Sequence, residues 1–198
     1  MYNKYREFIQ NYVDISDEEW GLYISKFQVE SYKKDQIIHY AGEICRKISF
    51  INSGLARAYV ISNEGKDYTW NIMFNDAQAQ VNNLFVVDYY SFVTQKESIM
   101  SIVAMEDCEL LSINHNDVEE FHKILRNEET FSRHISEISY ATLYERIINR
   151  QIKTAKERFE YFMKKTPYLL DKVPQYHIAT YLGITPQYLS QLKNSYKY

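Results

Sequence analysis

The sequence predicts an α+β fold, in which an antiparallel β-roll with flanking helices precedes a long helix and a small helical domain. The first observation is a series of short β-branched and aromatic runs, separated by turn residues, within residues 37–113. The second is a helical pattern over residues 128–152 that contains neither proline nor glycine. The third is a set of closely spaced apolar residues within residues 175–194, which fits two short crossed helices.

The composition is that of a folded protein with one medium-sized and one small domain. The chain has 198 residues, of which 45% are hydrophobic, so it can bury a packed core. With only five glycines and three prolines, it contains no flexible linker, and we expect its parts to be joined rigidly. The two cysteines, Cys45 and Cys108, form no CxxC pair and are interpreted as buried thiols.

The cellular location is inferred from the lack of long apolar segments in the sequence. No segment reaches about 18 consecutive apolar residues, the length that a membrane-spanning helix needs. The N-terminal segment also lacks the apolar run of a signal peptide. We therefore expect a cytoplasmic protein that does not contact a membrane.

The charge of the chain is distributed unevenly. Residues 146–198 contain ten Lys or Arg and three Asp or Glu, whereas residues 1–145 contain thirteen and twenty-three. The total of −3 is therefore the sum of a basic end and an acidic body. A basic end indicates contact with a polyanion such as DNA, because phosphate contacts release condensed counterions. The alternative is a solvated basic face without a partner.

The β-rich region and the helices around it are assigned to a first domain, residues 1–125. Ser16 and Glu19 have the spacing of a capping box and indicate a helix before the first strand. Residues 75–97 interrupt the strand pattern. Long interruptions in small β domains often carry binding sites, so this segment is a candidate for one.

The long helix is assigned to residues 126–152 and predicts a homodimer. Two sets of apolar or small residues lie on neighbouring helix faces. The members of the first set are Phe131, Ile135, Ile138 and Thr142, and those of the second are Leu143, Ile147 and Ile148. One face would pack on the β domain and the other on a second subunit, through residues 128–152. A single amphipathic helix in a monomer is the alternative.

Residues 153–198 are assigned to a helix-turn-helix domain. Five apolar residues can meet between its two short helices: Ile178, Leu182, Ile184, Leu189 and Leu192. Ala179 stands where the helices approach most closely, and Gly183 where the chain must turn sharply. Pro174 suits the first turn of the first helix, while Thr185 and Pro186 supply an N-cap and a first-turn proline for the second.

Such a unit binds DNA by placing its second helix in the major groove. The exposed residues of that helix that would contact base edges are Gln187, Ser190 and Gln191. The residues best placed for phosphates are Gln175, Thr185, Tyr188 and Lys193. The alternative interpretation is an ordinary helical hairpin that binds no nucleic acid.

Three stretches resemble the Crp/Fnr family of bacterial regulators. ERFEYFMKKTPYLLDKVPQYHIATYLGITPQYLSQLK is similar to the family's DNA-binding end, especially in the branch common in Bacteroidetes. SIVAMEDCELLSI resembles the last strands of its sensor roll, and DYYSFVTQKES resembles the helix and loop that hold the phosphate in cyclic-nucleotide-binding members. The resemblance implies a dimeric, sequence-specific transcription regulator with a cyclic-nucleotide-binding-like sensor domain.

The resemblance also implies an effector pocket around the third stretch. Its candidate residues are Tyr89, Tyr90, Ser91, Thr94, Lys96 and Ser98. Members that bind cyclic AMP use a Gly-Glu pair and a later Arg, but no arginine occurs here in residues 67–125. A cyclic phosphate would depend on Lys96 and on hydroxyl groups, which lack the bidentate fork of arginine. This departure argues against cyclic AMP and leaves the effector unidentified.

Two further departures concern the pocket and the DNA-binding end. The connection NDAQAQVNNLFVV is longer than usual, which predicts a pocket that is reshaped, filled by Phe85 and Tyr89, or absent. Family members normally follow the second helix with a β-hairpin wing, and we expect this domain to lack a full wing. Two cysteines cannot supply the four thiolates of an iron–sulfur cluster, and no cofactor is expected.

Other functions fit the sequence less well. The five histidines include no HxxxH or HExxH pair, and no phosphate-binding glycine loop or nucleophile elbow is present. We therefore expect no enzyme, no catalytic residue and no metal site. Two alternatives to the regulator remain: a small-molecule binding module with a vestigial DNA-binding end, and an interaction protein that docks a partner such as RNA polymerase.

Overall fold

The computed structural model describes residues 2–196 of the protein. In this part of the chain the helices are α1 (Asn3–Gln10), α2 (Asp17–Ile24), α3 (Val81–Leu84), α4 (Tyr89–Thr94), α5 (His115–Ile124), α6 (Arg126–Ile152), α7 (Ala155–Lys165), α8 (Leu169–Lys172), α9 (Gln175–Leu182) and α10 (Pro186–Ser195). The strands are β1 (Gln28–Tyr32), β2 (Ile37–His39), β3 (Lys47–Ser53), β4 (Leu55–Ile61), β5 (Asp67–Phe74), β6 (Phe85–Val86), β7 (Ser101–Ala104) and β8 (Cys108–Asn114).

The strands form two antiparallel four-stranded sheets that face each other as a roll. Their strand orders are β1-β8-β3-β6 and β2-β7-β4-β5. Aliphatic side chains from both sheets, including Ile51, Met73, Ile102 and Leu110, fill the space between them. The predicted antiparallel roll, with flanking helices and a C-terminal helical region, is confirmed. Cys45 and Cys108 are both free and buried.

The turn between β3 and β4 depends on a glycine. Gly54 has φ +94°, in the left-handed region, and a Cβ atom there would lie 2.3 Å from the carbonyl oxygen of Asp107. No side chain fits at that distance, so only glycine allows the chain to turn against the start of β8.

An aromatic cluster holds the N-terminal helices against the first sheet. Its buried members are Tyr5, Tyr23, Phe27, Phe50, Phe92, Phe121 and Phe131. The helix α2 starts with the predicted capping box, in which the Ser16 side chain accepts from the Glu19 N–H and the Glu19 carboxylate accepts from the Ser16 N–H. The cluster also contains the first turns of α6, which are thereby fixed to the roll.

The interruption between β5 and β7 is more ordered than the sequence indicates. It contains α3, the short strand β6, which pairs with β3, and α4. The helix α3 lies between β5 and α6, because Asn83 Nδ2 donates to the Ile72 carbonyl at 2.8 Å and Asn82 Nδ2 donates to the Ser139 carbonyl at 3.3 Å. These side chains satisfy backbone oxygens on two elements at once.

The C-terminal helices pack directly on the roll. Buried residues of α7, α8, α9 and α10 form one apolar cluster with Leu55, Ile72 and Phe74 of the second sheet. The helix α7 begins at the predicted capping box of Thr154 and Glu157 and ends at Lys165, before Pro167. The short helix α8 was not predicted. None of the helices within residues 2–196 is both long and apolar enough to span a bilayer.

Glu128 is a buried acid in the first turn of α6. Its carboxylate accepts from Ser132 Oγ at 2.9 Å and lies 3.3 Å from His122 Nε2 of α5. Burial raises the pKa of Glu128 to about 8, although the hydrogen bonds from Ser132 and Tyr23 oppose this effect. The folded protein therefore retains the Glu128 proton to a higher pH than the unfolded chain does.

We expect the Glu128→Gln variant to depend less on pH than the wild type. The stability that protonated Glu128 contributes is fully present below the ordinary pKa of 4.5 and is lost as pH rises through about 8. Between pH 4.5 and about 8, deprotonation of Glu128 therefore lowers the free energy of unfolding by up to about 1.4 kcal/mol per pH unit. Glutamine stays neutral, so the variant should exceed the wild type in stability at pH 9. Urea unfolding at pH 5, 7 and 9 checks this, with exposed Glu129→Gln as the control; parallel curves for wild type and Glu128→Gln would contradict it.

Candidate functional site

The helices α9 and α10 are held together by the residues that the sequence pattern singled out. Ile178, Leu182, Leu189 and Leu192 are buried between them and α7, and Ile184 packs against this cluster. Ala179 is fully buried, which leaves no room for a larger side chain at this contact.

The turn between the two helices has the expected backbone and capping. Gly183 ends α9 with φ +69°, a left-handed conformation that glycine adopts without strain. Thr185 Oγ1 then accepts from the Tyr188 N–H at 3.2 Å, and Pro186 occupies the first turn of α10. Local sequence and local structure agree at each of these positions.

One face of α10 is polar and open. Gln187, Ser190 and Gln191 are all exposed and lie within two turns of each other. Asn194 is exposed on the same face, three residues beyond Gln191, and was not among the predicted contacts. The spacing of 187, 191 and 194 could have indicated it.

The remaining predicted contacts are placed less uniformly. Tyr188 is exposed on α10, Lys193 is half-buried, and Gln175 is exposed at the first residue of α9. Thr185 is exposed, but its hydroxyl is already the N-cap of α10. The structure therefore brings the three base-edge candidates onto one face of α10. Among the phosphate candidates, Thr185, Tyr188 and Lys193 belong to α10 or its N-cap, whereas Gln175 belongs to α9.

The outer face of α9 is covered by β5. Thr180 Oγ1 lies 3.0 Å from Thr69 Oγ1 and accepts from the Thr69 N–H at 3.1 Å. Tyr176 Oη donates to the Asp67 carbonyl at 3.1 Å. The side chain of Asp67 accepts two hydrogen bonds from buried Arg57, at 2.7 and 2.9 Å. Bidentate pairing of this kind fixes β5 in the position that α9 contacts.

The two serines predicted for the effector pocket are buried and already bonded. Ser98 Oγ donates to Asp88 Oδ2 at 2.6 Å and accepts from the Met100 N–H at 3.1 Å. Ser91 Oγ donates to the Lys96 carbonyl and accepts from the Cys45 N–H at 2.9 Å. Both hydroxyls therefore already act as donors within the protein.

The other four predicted pocket residues lie apart from these serines. Tyr90, Thr94 and Lys96 have exposed side chains, and Thr94 Oγ1 donates to the Tyr90 carbonyl. Tyr89 Oη lies 2.7 Å from Ser136 Oγ of α6. Tyr89 and Phe85 also line a cavity of about 360 Å³ between the roll, α4, α5 and α6.

Asp88 was not among the predicted pocket residues, although it organises the segment. It is buried, its side chain caps α4 by accepting from the Ser91 N–H at 3.3 Å, and it accepts from Ser98. An aspartate directly before a helix is a recognisable N-cap signal. The bond to Ser98 joins residues ten apart and has no local sequence signature.

Replacing Ser98 with alanine should destabilise the fold. The variant leaves the buried Asp88 carboxylate without one of its donors, which costs about 1–3 kcal/mol of the free energy of unfolding. Urea unfolding measures the loss, and Ser31→Ala on the exposed part of β1 is the control, with less than about 0.5 kcal/mol expected. Equal stability of the two variants would show that the Asp88–Ser98 bond does not hold this segment.

A family model and several solved structures match the chain. Residues 29–124 match the model of the cyclic nucleotide-binding domain. No curated protein is similar enough to count as a match. The roll thus has the fold of a cyclic nucleotide-binding domain.

The solved structures extend the likeness to the C-terminal helices. FixK2 from Bradyrhizobium japonicum has a TM-score of 0.68 at 16% identity, over 85% of this chain and 83% of that chain. A putative regulator of the Crp/Fnr family from Eubacterium rectale has a TM-score of 0.66 at 19% identity, over 91% and 83%. The c-di-GMP responsive global regulator CLP from Xanthomonas campestris has a TM-score of 0.65 at 10% identity, over 90% of each chain. The chain therefore has the fold of Crp/Fnr-type regulators.

Proposed function

We propose that the protein is a dimeric, sequence-specific DNA-binding transcription regulator of the Crp/Fnr type, in the branch common in Bacteroidetes. Its domains would be a sensor domain (1–125), a dimerisation helix (126–152) and a helix-turn-helix domain (153–198). It would act in the cytoplasm on double-stranded DNA, and RNA polymerase would respond to its occupancy of a promoter. The observation that carries the proposal is the open polar face of α10 within the basic end of the chain.

The face of α10 has the chemistry of a base reader. Gln187 and Gln191 are exposed one turn apart, and glutamine can pair in a bidentate way with adenine in the major groove. Ser190 between them can donate or accept. This face of α10 remains uncovered while α9 packs on β5. Its exposure supports contact with the major groove of DNA without rearrangement of the C-terminal helices.

The second half of α6 supports a dimer. Tyr140, Tyr144 and Ile152 are 70%, 59% and 72% exposed, and Ile147 and Ile148 are exposed beside them. Near the start of the same helix, Phe131 is buried in the aromatic cluster and Ile135 packs against it. An exposed row of large apolar side chains at three- and four-residue spacing is typical of a helix that pairs with a second copy.

The sensor domain would respond to something other than a cyclic phosphate at α4. The hydroxyls of Ser91 and Ser98 are committed to internal hydrogen bonds, and no arginine is present in residues 67–125. The alternative of a small-molecule binding module is favoured by the cavity of about 360 Å³ beside Tyr89. Saturable ligand binding without specific DNA binding would distinguish it.

Genomic fragments bound by the purified protein should share a two-fold symmetric motif. The Gln187→Ala, Gln191→Ala variant loses two bidentate contacts of about 1–3 kcal/mol each in every half-site, so its affinity should fall at least about 30-fold per half-site. Lys193→Gln removes one phosphate contact from each subunit, so it should weaken binding to all sequences and lower the salt slope of the dimer by about two. Sequencing of enriched fragments and titrations across salt concentrations measure both effects.

The control for the DNA experiment is the variant Gln10→Ala, Gln28→Ala, which removes two exposed glutamines from α1 and β1. It should bind the motif like the wild type. Recovery of the same motif, with equal affinity, by the α10 variant would contradict base readout by this helix.

The Tyr144→Glu, Ile148→Glu variant should be monomeric. Two carboxylates on the exposed row of α6 would be desolvated without partners if two copies paired there. In sedimentation experiments the wild type should have twice the 23.7 kDa mass of the chain, and the variant the mass of one chain. The variant Ile61→Glu, Tyr68→Glu, which changes exposed residues of the roll, should remain dimeric. A monomeric wild type, or a dimeric α6 variant, would refute the proposed interface.

A further inference from the structure

A cavity of about 210 Å³ lies where the roll, the long helix and the C-terminal helices meet. Its walls come from β5, α3, α6, α7 and α9. It lies away from the Ser91 and Ser98 hydroxyls and from the α10 face, and none of those residues lines it. Neither the proposed DNA contact nor the predicted effector pocket therefore accounts for this cavity.

The lining of this cavity is strongly basic. Five of its side chains are cations, namely Arg146, Arg150, Lys153, Arg158 and Lys165. Its single carboxylate is Glu145, which accepts from Asn149 Nδ2 at 3.4 Å. Within residues 2–196, none of the five cations lies within 4.0 Å of a carboxylate oxygen in an ion pair. Their charge is not neutralised by the described chain.

Three of the cations are held in place by neutral groups. The Arg146 guanidinium lies 4.6 Å from the centre of the Trp70 ring, and Nη1 donates to the Trp70 carbonyl at 3.0 Å. Lys153 Nζ lies 5.0 Å from the centre of the Tyr161 ring. Arg158 Nε donates to the Leu182 carbonyl at 3.0 Å, and its Nη1 donates to the Lys153 carbonyl at 2.6 Å. These contacts orient the cations and leave their positive charge in place.

The other two cations are available to a ligand. In the part of the chain that the structure describes, the side chains of Arg150 and Lys165 make no hydrogen bond or ion pair. The two stand on α6 and α7, on different sides of the junction. Like charges gathered in a partly enclosed space repel one another, and an anion bound among them would remove that cost.

We propose that this cavity binds a compact polyanion that carries two or more phosphate groups. Five cations against one carboxylate match a ligand with several negative charges better than a single monoanion. The volume suits an inorganic diphosphate or triphosphate, or the polyphosphate of a nucleotide whose base lies outside. Because the walls belong to the roll, α6 and the C-terminal helices, the bound ligand stabilises the docked arrangement of these parts.

Inorganic triphosphate is the probe, and Trp70 is the reporter. The chain has two tryptophans, so Trp20→Phe leaves Trp70 in the cavity wall as the source of tryptophan fluorescence. At 150 mM KCl we expect a saturable fluorescence change with triphosphate, and the same stoichiometry by calorimetry on the wild type.

Inorganic monophosphate should bind at least tenfold more weakly. Tighter binding of triphosphate than of ATP identifies the free polyphosphate as the ligand, and the reverse identifies the nucleotide; either outcome supports the site.

The Arg150→Gln, Lys165→Gln variant should bind triphosphate at least tenfold more weakly than its parent. The matched control is Lys123→Gln, Lys164→Gln, which has the same net charge, removes two exposed lysines outside the cavity and should change the affinity less than twofold. Equal weakening in both variants, or no saturable binding by either method, overturns the proposal.

A DNA titration of the same variants separates this site from the proposed DNA-binding function. If the Arg150→Gln, Lys165→Gln variant loses affinity for DNA while its triphosphate affinity stays within twofold, these cations bind DNA phosphates and the cavity proposal is wrong. The triphosphate measurements contain no DNA, so they succeed or fail independently of specific DNA binding.

Discussion

The contact between α9 and β5 is the constraint on which the rest of the arrangement depends. It joins the last helical pair to a strand more than 100 positions earlier, through the hydroxyls of Thr180 and Thr69. Beneath these hydrogen bonds, Leu55, Ile72 and Phe74 of the roll share one apolar cluster with the C-terminal helices. The polar pair gives the contact its register, because a shift along β5 would separate the hydroxyl of buried Thr69 from that of Thr180.

Arg57 supports this contact from inside the second sheet. It is a buried cation, and burial of a charge is tolerated only with an opposite charge and good hydrogen-bond geometry. Asp67 supplies both, and Thr69 Oγ1 accepts a further hydrogen bond from Arg57 at 3.2 Å. The β5 residues that contact α9 are therefore oriented by an ion pair that joins β4 to β5.

Local sequence patterns predicted most elements of the fold and few of the contacts between them. The capping residues Ser16 and Thr154, the start of α10 at Pro186, and the strands around Gly54 and Gly65 all have signals within a few residues. The helical pattern was recognised over residues 128–152, and α6 runs from Arg126 to Ile152. The helix α3 was missed, because four residues, VNNL, have no periodicity to detect, and its position depends on distant partners such as Ser139. The same reason explains why the Asp88–Ser98 bond and the basic cavity were not predicted: their residues are adjacent only in three dimensions.

The apolar core that the roll shares with the C-terminal helices affects the folding of the chain during synthesis. Synthesis proceeds from the N-terminus, so the whole roll leaves the ribosome before the helices that cover Leu55, Ile72 and Phe74 exist. During that interval the outer face of β5 presents apolar side chains and an unpaired edge to the surrounding solution. The nascent roll is then in the state most susceptible to intermolecular strand pairing. Synthesis and docking of α7 to α10 therefore end the period in which the nascent protein is most susceptible to aggregation.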